Sequence, residues 1–215
     1  MSATEATPRT PQPATSGGTS LRWRTVDIVI AAVLAVVGGV IFAIVNWTYH
    51  VLDPLFLGFP PSSGLITGLW LFPGVLAALV IRKPGAALFV EMVAAVISAI
   101  FGSSFGATVL LSGLVQGLGA ELGAALLGRY RRFGLPVAIA AGTLTGFFGA
   151  VNDAFIMRWY PEYTDAWLWA YVACVSLSGL VIGILMWFVT RGLAATGVLG
   201  PLRSRGANRE SVSGK

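Results

Sequence analysis

Three carboxylic acids interrupt long apolar stretches of this 215-residue chain, which is 56% hydrophobic and only 11% charged. They are Glu91, Glu121 and Asp153. A charged group in the middle of a bilayer costs about 2.5–3.5 kcal/mol even on a lenient insertion scale, so it is retained where it faces protein, ligand or water. The three acids therefore mark a candidate binding site for a polar ligand, with polar contacts between helices as the structural alternative.

Glu91 is the best buried candidate of the three. At about 1.5 Å per residue it lies roughly 16 Å from the outer end of its apolar segment, near the midplane. Ala87, Ala94, Ala95 and Ser98 flank it at helical spacing and leave room beside it. A carboxyl group that is protonated, or hydrogen-bonded to a neighbouring helix, is the alternative to ligand binding.

Gln116 and Glu121 are separated by about 140° around a helix, so they cannot both point into one pocket. We favour Gln116 for the ligand because an amide both donates and accepts hydrogen bonds. For Glu121, the sequence gives equal weight to ligand binding and to a structural contact between helices. Asp153 lies near the outer end of its segment, where a position at the interface beside Arg158 explains it at least as well as ligand binding.

Aromatic side chains lie in the outer parts of the first two apolar segments. Trp47, Tyr49 and Trp70 could stack on a planar heterocycle, and Asn46 could hydrogen-bond to its edge. For any one of them, membership of an interfacial aromatic belt is the more common explanation. Trp70 is the exception, because it lies inside its segment and one turn before Pro73, which should kink the helix and open space nearby.

Other motifs carry little chemistry. Residues 102–106 spell GxSxG around Ser104, and His50 falls on the same side, so an intramembrane serine hydrolase is the alternative function, although the motif lacks its strand-to-helix turn. There is no phosphate-binding GxxxxGK[ST] loop, so any ATPase must be another chain. With Cys174 as the single cysteine, neither an internal disulfide nor a CxxC metal site can form, and we predict no metal site.

These residues must be positioned by transmembrane helices. About 20 apolar residues span a bilayer, and backbone groups in lipid must pair within their own segment, so each long apolar run should be a helix. We predict an all-α bundle of six membrane-spanning helices. Their approximate bounds are 27–49, 64–81, 86–102, 106–127, 135–157 and 167–190.

The basic residues predict the orientation. Of the 14 Lys and Arg residues, all except Arg158 fall on one side of the predicted spans, which places both termini in the cytoplasm and the loops 50–63, 102–106 and 158–166 outside. No basic face is interleaved with aromatic residues, so we do not expect nucleic-acid binding. The predicted domains are a disordered cytoplasmic tail (1–22), a membrane domain (23–192) and a second cytoplasmic tail (193–215).

The first span also carries a row of small residues. Ala31, Ala35 and Gly39 recur every four residues, which lets another helix approach closely. That helix could belong to the same bundle or to a partner subunit.

Two segments together resemble a known family. The run RKPGAAL at 82–88 is followed by Glu91, and QGLGAE occupies 116–121, with Trp70 before them and Asp153 after. Over about residues 25–200 this pattern is similar to the YkoE family, the substrate-binding S components of energy-coupling factor (ECF) transporters associated with thiamine or its hydroxymethylpyrimidine precursor.

The resemblance implies a plasma-membrane importer subunit with no catalytic activity and no cofactor of its own. Thiamine or hydroxymethylpyrimidine would enter a cavity that opens outward, and the first helix, through Ala31, Ala35 and Gly39, would dock on a membrane coupling (T) subunit whose partner ABC ATPases use ATP. An aminopyrimidine suits Glu91 or Gln116, and a thiazolium cation suits a carboxylate or a Trp face. The two ligands share the recognised ring, so the sequence does not separate them.

Overall fold

The computed structural model describes residues 21–103 and 106–214. Nearly all of the predicted N-terminal tail, and Ser104, lie outside this part of the chain. All regular elements in the described part are helical, and six α-helices form the frame. They are α1 (Thr25–Thr48), α2 (Phe72–Ile81), α3 (Ala86–Ile100), α4 (Val109–Gly123), α5 (Leu135–Val151) and α6 (Asp165–Ala195).

The six α-helices correspond to the six predicted spans, and the all-α membrane fold is confirmed. Five helical stretches of the described residues are long and apolar enough to cross a bilayer. The sixth, α3, has 15 residues and a length of about 22 Å, short of the roughly 30 Å hydrocarbon thickness.

Helix α2 is the centre of the bundle. Every residue from Pro73 to Ile81 is buried, and α2 contacts each of the other five helices. Around it, α1 packs beside α3, α3 beside α4, α4 beside α5, and α5 beside α6. Because α2 carries only apolar side chains, protein can pack on every side of it without burying a polar group of that helix.

The second span changes helix type halfway across. Its outer part is a 3₁₀-helix, Pro60–Trp70, and the α-helix begins at Phe72, with Pro73 in the first turn where its missing N–H costs nothing. The kink expected at Pro73 is therefore a break between two kinds of helix. The preceding segment Tyr49–Phe56 is also a 3₁₀-helix, and none of its residues is buried.

Helices α5 and α6 approach closely through glycines. A Cβ atom added to Gly142 would overlap the backbone of Gly179 and Gly183, and one added to Gly183 would overlap Ala138. The glycine-bearing face of α5 thus packs against a matching face of α6.

Charged residues pair at the end of the bundle that carries Arg24, Arg82 and Arg203, which we call the basic end. Asp27 is fully buried there and binds both Lys83 Nζ and Arg24 Nη2, the latter at 3.1 Å. Lys83 is itself 2% exposed and also donates to the Arg22 carbonyl at 2.5 Å. This network ties the start of α1 to the turn between α2 and α3.

Residues 196–214, expected to be a cytoplasmic tail, pack back onto the basic end. Leu199, Leu202 and Ala207 are buried in the core around α2. Ser204 Oγ donates to the Val80 carbonyl at 2.6 Å, and Arg82 binds both carboxylate oxygens of Glu210 at 2.5 and 2.8 Å. We call this folded segment the C-terminal strap.

Candidate functional site

A cavity of about 60 Å³ lies between the helices at the end opposite the basic end. Aromatic, amide, hydroxyl and carboxyl side chains converge on it from α1, α3, α4 and α6, from the 3₁₀ half of the second span and from the segment between α5 and α6. Its polar and aromatic lining residues are Asn46, Tyr49, Thr67, Trp70, Ser98, Ser112, Gln116, Asp153, Trp159, Tyr160 and Tyr171.

One wall is aromatic and held in place by hydrogen bonds. Trp70 Nε1 donates to Asn46 Oδ1 at 2.9 Å, and Asn46 Nδ2 donates to Ser98 Oγ at 2.8 Å. The Tyr49 ring meets the Trp70 ring edge-on, with centroids 5.4 Å apart. The break in the second span places Trp70 at the junction of its two halves, facing the cavity.

The opposite wall is polar. Gln116 on α4 is 6% exposed, and Ser112 lies one turn before it on the same face. Asp153, 3% exposed, accepts hydrogen bonds from Ser112 Oγ at 3.3 Å and from Asn152 Nδ2 at 3.1 Å. Tyr171 of α6 also hydrogen-bonds to the Asp153 carboxylate.

Asp153 therefore has hydrogen-bond donors around it but no cation. None of the ion pairs found among residues 21–103 and 106–214 includes this carboxylate. A buried carboxylate without a cation retains a strong attraction for a positive charge, because the surrounding medium screens it poorly. A cationic ligand in the cavity would supply that charge.

A tyrosine cluster closes the side of the cavity that faces away from the basic end. The Tyr160 ring lies 4.7 Å from Tyr171 and 4.8 Å from Tyr163, centroid to centroid. Burial raises the pKa of Tyr160, so its hydroxyl stays protonated. Beyond it, a vestibule of about 370 Å³ shares Tyr49, Trp159 and Tyr160 with the cavity. These three side chains separate the cavity from the surface.

Glu91 lies outside the cavity lining. It is fully buried, and its Oε2 accepts a hydrogen bond from the Gly74 N–H at 2.7 Å. Gly74 is in the first turn of α2, whose free N–H groups attract a negative or polar acceptor. In the structure, the Glu91 carboxyl group is hydrogen-bonded to a neighbouring helix, which is the alternative to ligand binding that the sequence analysis left open.

Glu121 likewise accepts hydrogen bonds from the first N–H groups of α3. Its Oε1 accepts from the Ala87 and Leu88 N–H groups at 2.7 and 3.4 Å, and its Oε2 accepts from the Tyr130 hydroxyl at 2.5 Å. Burial, followed by the hydrogen bond to Glu121, raises the pKa of Tyr130, which keeps it a donor. An acid on α4 therefore caps α3, as an acid on α3 caps α2.

The remaining predicted residues divide between the cavity and other surfaces. Asn46, Tyr49, Trp70, Gln116 and Asp153 come together on the cavity, whereas Trp47 is 65% exposed on the outside of α1. Sequence reasoning missed Ser112 and Tyr171. Ser112 shares a helical face with Gln116, and Tyr171 is the only tyrosine of the apolar helix α6, so both signals were present.

The row of small residues on α1 faces inward. Ala31 and Ala35 are fully buried, and a Cβ atom on Gly39 would overlap Ile97 and the Ala94 carbonyl of α3. The row therefore packs against a helix of the same bundle, which is one of the two alternatives that the sequence left open.

The described residues leave the GxSxG hydrolase motif untested. His50 Nδ1 contacts Asp53 Oδ2 at 3.2 Å, with both side chains more than half exposed, and Ser104 lies outside the described residues. Within residues 21–103 and 106–214, no three His, Cys, Asp or Glu side chains are grouped so that they could hold a metal ion.

Comparisons with known proteins agree with one another. A family described as "ABC-type cobalt transport system, permease component" matches residues 26–148. The HMP/thiamine permease protein YkoE of Bacillus subtilis strain 168 is 35% identical over 178 residues, which cover 82% of this chain and 87% of YkoE. A crystal structure of an S-component of an ECF transporter superposes with a TM-score of 0.75 at 32% identity, covering 88% of this chain and all of that one.

Proposed function

Because this chain belongs to the YkoE family of ECF transporter S components, we propose that it captures thiamine or hydroxymethylpyrimidine from outside the cell. S components are substrate-binding transporter subunits, so the chain is a binding protein of the membrane and not an enzyme. The relative's name supports the choice of ligand.

The observation that carries this proposal is the pairing of Trp70 with Asp153 across one cavity. A Trp face stacks on a flat ring and attracts cations, and a buried carboxylate binds a positive charge or a hydrogen-bond donor. Thiamine combines an aminopyrimidine with a thiazolium cation, so it presents both features. The neutral pyrimidine precursor would use the ring and amino-group contacts alone.

The amides fit the pyrimidine edge. Gln116 offers a donor and an acceptor at the cavity wall, and its side chain packs against Gly149 of α5. Asn46 is already engaged with Trp70 and Ser98. We assign ring recognition to Gln116 and the positioning of Trp70 to Asn46.

Ligand entry requires the aromatic side chains to move. A volume of about 60 Å³ corresponds to only a few water molecules, which is too little for a two-ring vitamin. Tyr49, Trp159 and Tyr160 stand between this space and the vestibule. Their displacement toward the vestibule is the proposed entry step.

The orientation and the partners are also part of the proposal. We place both termini in the cytoplasm, with the vestibule outside, on the basis of the basic residues. A membrane coupling subunit and ABC ATPases would use ATP to drive release inward. Since Ala31, Ala35 and Gly39 are covered, the contact of α1 with the coupling subunit would use its exposed face, which carries Val33, Val36 and Val40.

Equilibrium binding to the purified protein tests the proposal. Thiamine and hydroxymethylpyrimidine should each bind saturably and quench Trp fluorescence. Trp70→Phe should weaken binding and remove much of the quenching, whereas Trp47→Phe, a matched change on the exposed face of α1, should leave affinity unchanged. Absence of binding by both ligands, or equal effects of the two substitutions, would contradict the proposed site.

A further inference from the structure

A second concave surface lies on the outside of the bundle, close to the basic end. It is an open groove of about 1030 Å³ between α4, α5 and α6, and it is almost entirely apolar. Leu126 and Leu127 form one side, Ile139 and Ala140 the other, and Val212 of the C-terminal strap closes one end. We call this surface the α4–α5 groove.

Exposed arginines lie in the turn that joins the two main walls of the groove. The turn 129–134 joins its two main walls, since Leu127 precedes this turn and Leu135 follows it. Arg129, Arg131 and Arg132 are exposed in this turn, and no ion pair among the described residues includes any of them.

Among the described residues, the positive charge of this turn has no paired counter-charge. Burial, together with the positive charges of Arg82 and Arg131, lowers the pKa of Arg203, which shows that the strap and the turn bring like charges together. Glu210 already binds Arg82 through both carboxylate oxygens. An added anion at this point would relieve the repulsion between the arginines.

We propose that the α4–α5 groove binds an acyl chain of an anionic phospholipid whose phosphate contacts Arg131 and Arg132. The chain spans a membrane, so a lipid has direct access to this surface. The groove follows α5 from Leu135 to Leu144, a length of about 14 Å that suits an extended hydrocarbon tail. Arg guanidinium groups bind phosphate through paired hydrogen bonds, so the headgroup and the tail are recognised together.

Purified protein in nanodiscs of phosphatidylcholine, with and without phosphatidylglycerol, tests this site. Phosphatidylglycerol should raise the melting temperature of the wild type, and it should be retained in native mass spectra. Arg131→Gln/Arg132→Gln should weaken retention about 25-fold, because each arginine near a membrane surface contributes about fivefold. Ala140→Phe, which fills the groove but keeps the arginines, should also reduce retention.

Arg205→Gln is the matched control, because Arg205 is an exposed arginine of the strap that lies outside the turn joining the two walls of the groove. It should leave both the retention and the temperature shift unchanged. An equal loss with Arg205→Gln would show a diffuse basic surface and overturn the proposal. Full retention by Ala140→Phe would overturn the acyl-chain site, and full retention by the double variant would overturn the headgroup site.

Discussion

Asp153 is the residue whose substitution separates the two proposed ligands. Asp153→Asn keeps an oxygen that can accept from Ser112 and Asn152 but removes the negative charge. We expect thiamine affinity to fall about 10- to 100-fold, the range for a charge-assisted contact, with a much smaller loss for neutral hydroxymethylpyrimidine. Isothermal titration with both ligands measures the difference.

Glu162→Gln is the control for this experiment, because it removes the same charge from an exposed position near the vestibule. It should leave the affinity of both ligands unchanged. If Asp153→Asn weakened both ligands equally, the carboxylate would not be the partner of the thiazolium cation.

Glu91 is expected to matter for stability. Glu91→Ala leaves the Gly74 N–H without an acceptor inside the bundle, which costs about 1–3 kcal/mol, and it adds a cavity. Glu91→Gln retains an acceptor oxygen, so we expect a melting temperature much closer to that of the wild type. If Glu91→Gln abolished ligand binding at an unchanged melting temperature, Glu91 would bind the ligand directly.

At the scale of single residues, the sequence identified the right types but not their partners. Glu91, Glu121 and Asp153 each have polar partners, as expected of acids within membrane spans. Two of them, Glu91 and Glu121, bind the N-terminus of a neighbouring helix and not a ligand site. A single chain shows neither which helix begins beside an acid nor how helices rotate against one another. Asp153 and Gln116 do line the cavity.

At the scale of elements, the contact between α5 and α6 depends on missing side chains. Gly179→Ala on α6 would place a methyl group against the Gly142 carbonyl, and separating the helices should cost about 1–3 kcal/mol. Gly192→Ala, on the same helix with no atom near the new methyl group, should be neutral or stabilising by up to about 1 kcal/mol. Thermal unfolding in detergent compares the two, and equal destabilisation would contradict this account.

The length and apolar composition of the segments predicted six helices, because a bilayer requires each span to be long, apolar and hydrogen-bonded within itself. They did not predict the 3₁₀ half of the second span or the central place of α2, since both depend on contacts with distant segments. The row of Ala31, Ala35 and Gly39 correctly indicated close packing. A pattern of small residues does not, however, predict which helix packs against it.

At the scale of the whole molecule, the C-terminal strap should contribute to folding stability. Leu202 is 2% exposed, whereas Val198 is 60% exposed in the same segment. Leu202→Ala should lower the free energy of unfolding by about 2–5 kcal/mol, and Val198→Ala by less than about 0.5 kcal/mol. Similar small effects of both in a denaturant titration would show that the strap is not part of the stable core.

Cysteine labelling tests the proposed orientation. In a Cys174→Ala background, Leu57→Cys and Val198→Cys place single thiols at positions 78% and 60% exposed, at opposite ends of the bundle. A membrane-impermeant maleimide added to intact cells should label position 57 alone, and permeabilised cells should be labelled at both. The reverse pattern would invert the topology.

The capping of α2 by α3, and of α3 by α4, has a consequence for biosynthesis. Each of these two spans emerges from the ribosome before the helix that supplies its acidic cap, so the Gly74 N–H of α2 enters the bilayer before its acceptor Glu91 has been inserted. Enclosure of α2 on all sides must then wait for α6. The second helix to be inserted is thus among the last to reach its final surroundings. During this interval the partly assembled chain is a substrate for quality-control proteases.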